Sequence, residues 1–186
     1  MNNTLYLVRH AETRRTALPA ETWPLSEQGF QQVRKLAELP FWSEVDLICT
    51  SLEPKALQTA QIVAERHSLP IEPAFDLREL RRTGDRVADY EAAVREVLEN
   101  PTTCFHGWEP AGEAQTRIVT AIERLLMLYE GETLAVVSHG LVLTLYLAYL
   151  TDTAPTLDLW HSLPFASATR VDPEARTVLN HFAIDI

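Results

Sequence analysis

The chain has 186 residues, 46% of them hydrophobic, and a formal net charge of -10 at pH 7. Its length and composition are those of one ordinary globular domain with a sizeable core, which we expect to span residues 1–186. The negative charge argues against general binding to nucleic acid or to an anionic membrane, because both need a basic surface.

Cysteine usage and apolar runs indicate the compartment. Cys49 and Cys104 are too few for a disulfide framework and lie in no CxxC pattern, so both are expected to be reduced. The N-terminus shows no signal-peptide pattern. The longest apolar stretch, 134–150, has 17 uncharged residues with Ser138 and His139 inside it, whereas a membrane span needs roughly 20. We therefore expect a cytoplasmic protein that does not contact membranes.

Short buried strands alternate with helices along the chain. In chain order the predicted elements are a strand at Leu5–Val8, a helix capped by Ser26, a strand at Asp46–Thr50, a helix beginning at Pro54, a helix from about Arg86 to Leu98, a helix at Glu113–Tyr129, a strand at Leu134–Ser138, a helix from His139 to about Leu150, and a hairpin of Ala168–Asp172 and Thr177–Ile184. This alternation predicts an α/β fold, a three-layer sandwich whose mostly parallel central sheet has helices on both faces.

Two histidines follow predicted strands. In a parallel sheet the ligand crevice lies beyond the carboxyl ends of the strands. Arg9 and His10 end the first strand and His139 ends the third, so all three are expected in one crevice. A neutral imidazole can attack phosphorus to give a phosphohistidine, and a guanidinium offers a planar fork of donors to phosphate oxygens. Taken singly, each of these residues has a structural explanation, and for Arg9 and His10 that explanation is the simpler one.

Lys55 and Gly140 stand at the starts of two helices. Lys55 falls in the first turn of the helix that Pro54 opens, where the positive end of the helix dipole disfavours a cation. A bound anion there would remove the conflict, although a solvated lysine is the simpler alternative. Gly140 would let the backbone approach a ligand closely.

Five motifs in order resemble the histidine phosphatase superfamily, the phosphoglycerate mutase-like proteins. They read LVRHAET, TSLEPKALQTA, LRE, PAGE and VVSHG, and the resemblance extends over about residues 4–142. It implies a phosphoglycerate mutase-like fold and a phosphatase that needs no metal and no other cofactor. By the same resemblance, His10 is the residue that becomes phosphorylated, Arg9 and His139 are its pocket partners, and Glu79 protonates the leaving oxygen and then activates water.

Several positions depart from the family pattern. Lys55 stands where the family usually has Arg, which exchanges a bidentate fork for a point charge. Thr16 falls where an Asn often contacts the phosphate, and its hydroxyl could substitute. Ala11 replaces the usual Gly. The predicted phosphate-binding residues are Arg9, Thr16, Lys55, His139 and Gly140.

The assignment of Glu79 has a structural alternative. An acid catalyst must hold a proton, whereas Arg78, Arg81 and Arg82 would favour the ionised carboxylate and a salt-bridged loop. Asp85 is the fallback candidate for the acid. The predicted mouth of the pocket, which would select a second anionic group on the substrate, consists of Arg14, Arg15, Arg81 and Arg82.

The expected activity is hydrolysis of a small phosphorylated metabolite through a phosphohistidine on His10. Phosphoglycerate mutase-type transfer is an alternative, although mutases of the family are usually longer and carry segments that retain a bisphosphate. Removal of phosphate from phosphohistidine on proteins, and a non-catalytic phosphate-binding module, are two further alternatives. The expected partner is a small phosphorylated substrate, not nucleic acid, with homodimerisation left open.

Overall fold

The computed structural model of the protein describes residues 4–83 and 87–184. The strands are β1 Leu5–Arg9, β2 Leu47–Thr50, β3 Ile71–Pro73, β4 Leu134–Ser138, β5 Ala168–Asp172 and β6 Thr177–Phe182. They form one sheet in the order β3-β2-β4-β1-β5-β6. The first four strands in this order run parallel, and β5 and β6 form an antiparallel hairpin at one edge. The predicted mostly parallel sheet is confirmed.

The helices are α1 Glu27–Leu36, α2 Pro54–His67, α3 Tyr90–Glu99, α4 Ala111–Leu128, α5 Gly140–Leu150 and α6 Leu157–His161. Local chemistry explains where several of them begin. The Ser26 hydroxyl accepts the N–H of Gly29 at 2.9 Å, and Pro54 occupies the first turn of α2. Asp89 caps α3, so that helix begins later than predicted; Arg86 lies outside the described residues.

The core has two halves, one on each face of the sheet. Leu5 and Leu7 of β1 pack with apolar side chains of α3, α4 and α5, whereas Tyr6 and Val8 pack with those of α1 and α2. Successive side chains of a strand point to opposite faces, so a strand buried on both sides needs helices on both sides. The three-layer sandwich is therefore confirmed.

Burial explains the apolar run at 134–150. The run forms the central strand β4 and the helix α5, whose residues are almost all buried in the core. Among the described residues, no helix has the length and hydropathy that crossing a membrane requires.

One short strand and one short α-helix were not predicted from the sequence. β3 has three residues and ends in Pro73, and a proline weakens the pattern by which strands are recognised. α6 has five residues, and its N-terminus is capped by the Thr156 hydroxyl, which accepts the N–H of Leu159 at 3.1 Å.

The register of the central strands determines where the crevice lies. Arg9 pairs with Ser138 across β1 and β4, and the His10 N–H donates to the Ser138 carbonyl at 3.0 Å. On the other side of β4, the Ser51 N–H donates to the Val137 carbonyl at 3.0 Å. The residues that follow β1, β2 and β4 therefore meet at the carboxyl edge of the sheet.

Candidate active site

His10 is a buried imidazole at the end of β1. Its Nδ1 lies 2.7 Å from the carbonyl oxygen of Ala11. A carbonyl only accepts, so this contact assigns the proton to Nδ1 and the lone pair to Nε2. Burial, followed by electrostatic interactions with His139, Lys55 and Arg9, lowers the pKa of His10 well below its usual range. The residue is therefore a neutral imidazole with Nε2 as the nucleophilic atom.

His139 lies beside His10, with the ring centroids 5.0 Å apart and the rings edge to face. Its Nε2 lies 2.9 Å from the Ser51 hydroxyl, which itself accepts the N–H of Glu53 at 3.2 Å. The hydroxyl proton is then available to Nε2, which places the imidazole proton on Nδ1. That Nδ1 is buried without a hydrogen-bond partner among the described residues. A ligand oxygen would supply the missing acceptor.

The protonation state of His139 follows from its surroundings. The residue is fully buried, and burial, followed by the charge of Lys55, lowers the pKa of His139 well below its usual range. Without a ligand, His139 is therefore a neutral hydrogen-bond donor.

Arg9 presses its guanidinium against Gly140. A Cβ on Gly140 would lie 2.8 Å from Arg9 Cζ and 3.0 Å from Nε. One terminal nitrogen donates to the Leu163 carbonyl, and Cζ lies 4.4 Å from the centroid of the Phe165 ring. The Nε atom is buried with no hydrogen-bond partner in the part of the chain that the structure describes. Arg9 therefore retains donor capacity for an anion, and glycine at 140 makes room for its head group.

Glu53 is a pocket residue that the sequence analysis did not single out. One oxygen accepts from Lys55 Nζ, and the other accepts the Glu79 N–H at 2.8 Å and lies 3.7 Å from His139 Nε2. Lys55 Nζ also donates to the Ala20 carbonyl at 2.8 Å, which leaves one of its three protons for a phosphate oxygen. One signal in the sequence could have identified Glu53 as a pocket residue. Glu53 stands two residues before Lys55, at the N-terminal cap of the same helix.

The predicted conflict between Lys55 and the dipole of α2 is therefore relieved by a protein carboxylate. Glu53 occupies the N-terminal cap position of α2, where negative charge is favoured, and Lys55 forms an ion pair with it. Lys55 and Glu53 are both nearly buried, with 4% and 11% of their side chains exposed. The pair is consequently part of the wall of the pocket rather than a surface contact.

Glu79 binds the N-terminus of α5. Its Oε1 accepts the N–H groups of Leu80 at 3.0 Å and Val142 at 3.2 Å, and its Oε2 accepts that of Leu141 at 3.3 Å. The first N–H groups of a helix have no partner within the helix, so the carboxylate satisfies two of them. Since His139 directly precedes α5, this contact places Glu79 at the histidine pocket.

The surroundings of Glu79 differ from those that the sequence suggested. Arg78 forms an ion pair with Asp76 at 2.8 Å. Arg9 of the pocket interacts electrostatically with Glu79. Asp85, the fallback acid, lies outside the described residues.

Two of the four arginines predicted for the mouth lie near the pocket. Arg82 Nη1 is 2.6 Å from the Tyr90 hydroxyl, and its guanidinium lies over the rings of Tyr90 and Trp108, 5.4 and 5.6 Å from their centroids. Arg15 and Arg9 also act electrostatically on Tyr90. Tyr90 therefore lies on the side of the pocket that Arg15 and Arg82 face.

Three other residues predicted to bind the substrate, Arg14, Thr16 and Arg81, lie at or near the surface. Arg14 and Arg81 are exposed. Thr16 is half-buried, and its hydroxyl accepts the N–H of Leu18 at 3.2 Å. No group of three His, Cys, Asp or Glu side chains within residues 4–83 and 87–184 is arranged as a metal site. The roles of all these residues in binding stay predictions.

The low pKa values of the two pocket histidines predict an acid-sensitive stability. Unfolded histidines take up protons near pH 6.5, whereas folded His10 and His139 do not, so the unfolded state binds more protons as the pH falls. The free energy of unfolding should be unaffected above this pH and should fall below it by about 1.4 kcal/mol per pH unit for each histidine.

Urea unfolding between pH 8 and pH 5 measures this effect. His139→Asn should flatten the slope below pH 6.5, and His67→Asn, at the C-terminal end of α2, is the control. An identical slope in the wild type and His139→Asn would contradict the prediction.

Gly140→Ala should damage the pocket more than the fold. The added Cβ meets the flexible end of Arg9 rather than backbone, so the guanidinium moves and the protein stays folded. A displacement of about 1 Å can lower a rate about 10²-fold, and we expect a loss of that size in kcat/KM for phosphate release. Gly112→Ala adds the same methyl group near the start of α4, 3.1 Å from the Pro101 carbonyl oxygen, and is the control for a local loss of stability that leaves the rate unchanged. Unchanged kinetics in Gly140→Ala would show that Arg9 does not need its present position.

Known proteins are similar to this chain in both sequence and fold. A family model described as the histidine phosphatase superfamily (branch 1) matches residues 5–182. A probable phosphoglycerate mutase GpmB from Enterobacter sp. (strain 638) is 33% identical over 153 residues, which cover 75% of this chain and 70% of that protein. An adenosylcobalamin/alpha-ribazole phosphatase from Escherichia coli (strain K12) is 29% identical over 171 residues, covering 84% and 83%.

A solved structure shows that the likeness extends to the fold. Bacillus stearothermophilus YhfR superposes on this chain with a TM-score of 0.73 at 29% sequence identity. The superposition covers 95% of this chain and 94% of that one. The two proteins therefore share a fold over nearly the whole of this chain.

Proposed function

Since this chain belongs to branch 1 of the histidine phosphatase superfamily, we propose that it is a metal-independent phosphomonoesterase that hydrolyses a small phosphorylated metabolite through a phosphohistidine on His10. The observation that carries the proposal is the state of His10. Its Nδ1 is engaged by the Ala11 carbonyl, and burial beside three other basic side chains keeps the ring neutral. Nε2 is thereby prepared to form a bond to phosphorus.

In the first step, His10 Nε2 attacks phosphorus and the ester P–O bond breaks. The donors of Arg9, Lys55 and His139 bind the phosphoryl oxygens, whose charge must be held as the group moves. Glu79, entering this step as the carboxylic acid, gives its proton to the leaving oxygen. Among the described residues, its Oε2 receives only the 3.3 Å bond from Leu141 and so has room for that proton.

In the second step, water attacks the phosphorus of the phosphohistidine. Glu79, now a carboxylate, takes a proton from the water, the P–N bond breaks, and inorganic phosphate leaves. His10 returns to its starting state with the Nδ1 proton still held by Ala11. One carboxyl group thus acts as acid and then as base, and no metal takes part in either step.

Phosphate release from p-nitrophenyl phosphate in the presence of EDTA tests the proposal. Activity should survive chelation, and a brief incubation with ³²P-labelled substrate followed by an alkaline quench should leave the label on His10. Loss of activity on chelation would refute the metal-free mechanism. Label on another residue would refute the role of His10.

Glu79→Gln should lower kcat by about 10²-fold or more on phenyl phosphate, because the basic phenolate then leaves without a proton. The loss on p-nitrophenyl phosphate should be much smaller, since nitrophenolate leaves readily. Rates of both substrates are compared with those of Glu38→Gln, a substitution at an exposed residue of the surface. Equal losses on both substrates would remove the acid role from Glu79.

Phosphoglycerate mutase activity is the second candidate, because one similar protein is named a probable phosphoglycerate mutase. The same phosphohistidine could pass its phosphoryl group to a second hydroxyl instead of water. Incubation with 3-phosphoglycerate distinguishes the two activities by product, inorganic phosphate for the hydrolase and 2-phosphoglycerate for the mutase. A panel of phosphorylated sugars, nucleotides, cobalamin precursors and phosphoserine, assayed for phosphate release, would identify the substrate class.

A further inference from the structure

The segment 76–81, which carries Glu79, is fixed by side chains from other parts of the protein. The Ser138 hydroxyl donates to the Leu77 carbonyl at 2.7 Å, and Glu53 accepts the Glu79 N–H at 2.8 Å. These two contacts come from the pocket side. Apart from the contacts of the Glu79 carboxylate with α5, the other long-range contacts of this segment among the described residues come from α4 and from the residues just before it.

Arg117 of α4 supplies most of these remaining contacts. Its Nη1 donates to the carbonyls of Asp76 and Arg78, both at 2.9 Å, and its Nη2 donates to that of Glu79 at 3.3 Å. Nη2 also donates to Glu109 at 2.8 Å, and Nε donates to the second oxygen of Glu109 at 3.2 Å. A guanidinium has five N–H donors, and all five are used here. Arg117 therefore has none left for a substrate oxygen.

Glu109 completes the arrangement from the opposite side. It is almost fully buried, and its Oε2 also accepts the Arg81 N–H at 2.9 Å. Burial would raise the pKa of Glu109, but the hydrogen bonds from Arg117 and from the Arg81 backbone outweigh it and lower that pKa. The carboxylate is consequently charged at neutral pH and remains paired with Arg117.

We infer that Arg117 and Glu109 form a clamp that positions the Glu79 carboxyl group for proton transfer. The clamp binds the backbone at Asp76, Arg78 and Glu79 and again at Arg81, so it holds Glu79 from both sides. It fixes the residue whose carboxylate must reach the N-terminus of α5. This inference rests on the proposed function, in which Glu79 is the proton donor.

A buried ion pair is a weak reason to expect stability, because an apolar pair of similar volume often serves as well. What an apolar pair could not do is bind three carbonyls and an N–H group of one loop. Position matters for the acid, since a shift of about 1 Å can change a rate about 10²-fold. The clamp thus serves to hold the Glu79 carboxyl group in a fixed position. Arg117 and Glu109 are positioning residues.

Leaving-group dependence tests the clamp. Arg117→Met should lower kcat on phenyl phosphate about tenfold more than on p-nitrophenyl phosphate, because only the former needs the proton. In the Glu79→Gln background the same substitution should produce no further selective loss. Arg117→Lys should fall between, since an ammonium cannot bind three carbonyls and Glu109 together. Arg124→Met, on an exposed position of the same helix, should match the wild type.

Amide hydrogen exchange gives a readout that is independent of turnover. The Leu141 and Val142 N–H groups, which donate to Glu79, should exchange faster in Arg117→Met, as they should in Glu79→Gln. Where Arg117→Met fails to fold because Glu109 is left unpaired, the double variant Arg117→Met, Glu109→Gln is used for the same measurements.

An equal loss of rate on both substrates, a selective loss that persists without Glu79, or unchanged exchange at Leu141 and Val142 would overturn the clamp. Failure of the proposed function appears differently. In that case the wild type releases no phosphate or carries no label on His10, and the exchange measurement still decides whether Arg117 positions Glu79.

Discussion

His10→Ala lowers the rate of phosphate release by about 10⁴-fold or more, the scale of loss when an enzyme's nucleophile is removed. The substitution eliminates the only atom proposed to bond to phosphorus, so no phosphohistidine forms. What remains is the binding of phosphate by Arg9, Lys55 and His139, which orients the substrate for slow attack by water. We therefore expect orthophosphate to bind the variant, as measured by calorimetry, while turnover is lost.

His67→Ala is the matched control. His67 lies at the end of α2, where its Nε2 bonds to the Ala37 carbonyl at 2.8 Å, and it has no place in the proposed chemistry. Both variants are assayed on p-nitrophenyl phosphate, and their thermal unfolding is compared with that of the wild type. A folded His10→Ala protein with near wild-type turnover would refute the nucleophile.

Arg9→Gln lowers kcat/KM by about 10³-fold, within the range found when an arginine that stabilises a phosphoryl transition state is removed. The glutamine side chain ends two bonds short of the terminal nitrogen of Arg9 that donates to the Leu163 carbonyl, so thermal unfolding of the variant is compared with that of the wild type. Glutamine carries no charge and cannot present a fork of donors to two oxygens. The loss should appear in kcat as well as in KM, because negative charge must be held most strongly as the phosphoryl group moves.

Arg9→Lys separates charge from geometry in the same assay. A lysine restores the positive charge but not the planar fork, so the variant should recover only part of the rate. Arg34→Gln, at an exposed position of α1, is the control for the general effect of losing a cation. Wild-type kinetics in Arg9→Gln would mean that Lys55 and His139 suffice to hold the phosphate.

The sequence and the structure agree best where the pattern is local. The strands β1, β2 and β4 are short apolar runs with abrupt polar ends, and Ser26 and Pro54 are strong signals for the starts of helices. Because parallel strands share a carboxyl edge, Arg9, His10 and His139 could be expected in one crevice before any coordinates were known. The three-residue β3 and the five-residue α6 were not predicted, because elements of this length are too short to show a periodic pattern of apolar residues.

The contacts of Glu79 could not be predicted from its neighbours in the sequence. Arg78 directly precedes Glu79 and Arg81 follows it by two residues. The Arg78 side chain nevertheless forms an ion pair with Asp76, and the Arg81 backbone N–H donates to Glu109. Apart from the Leu80 N–H, the donors that reach the Glu79 carboxylate come from α5, over 60 residues later. Local charge density is a poor guide to the surroundings of a loop residue, since side chains can point away from each other.

By itself the sequence determined the three-layer α/β fold, the family and the meeting of His10, Arg9 and His139, because strand ends follow from local apolar patterns and the family follows from five motifs in order. Only the tertiary structure decided the protonation of the pocket. The neutral state of His10, the pairing of Lys55 with Glu53 and the clamp formed by Arg117 and Glu109 depend on burial and on contacts between distant segments. Those quantities arise from packing in three dimensions, which no spacing along the chain encodes.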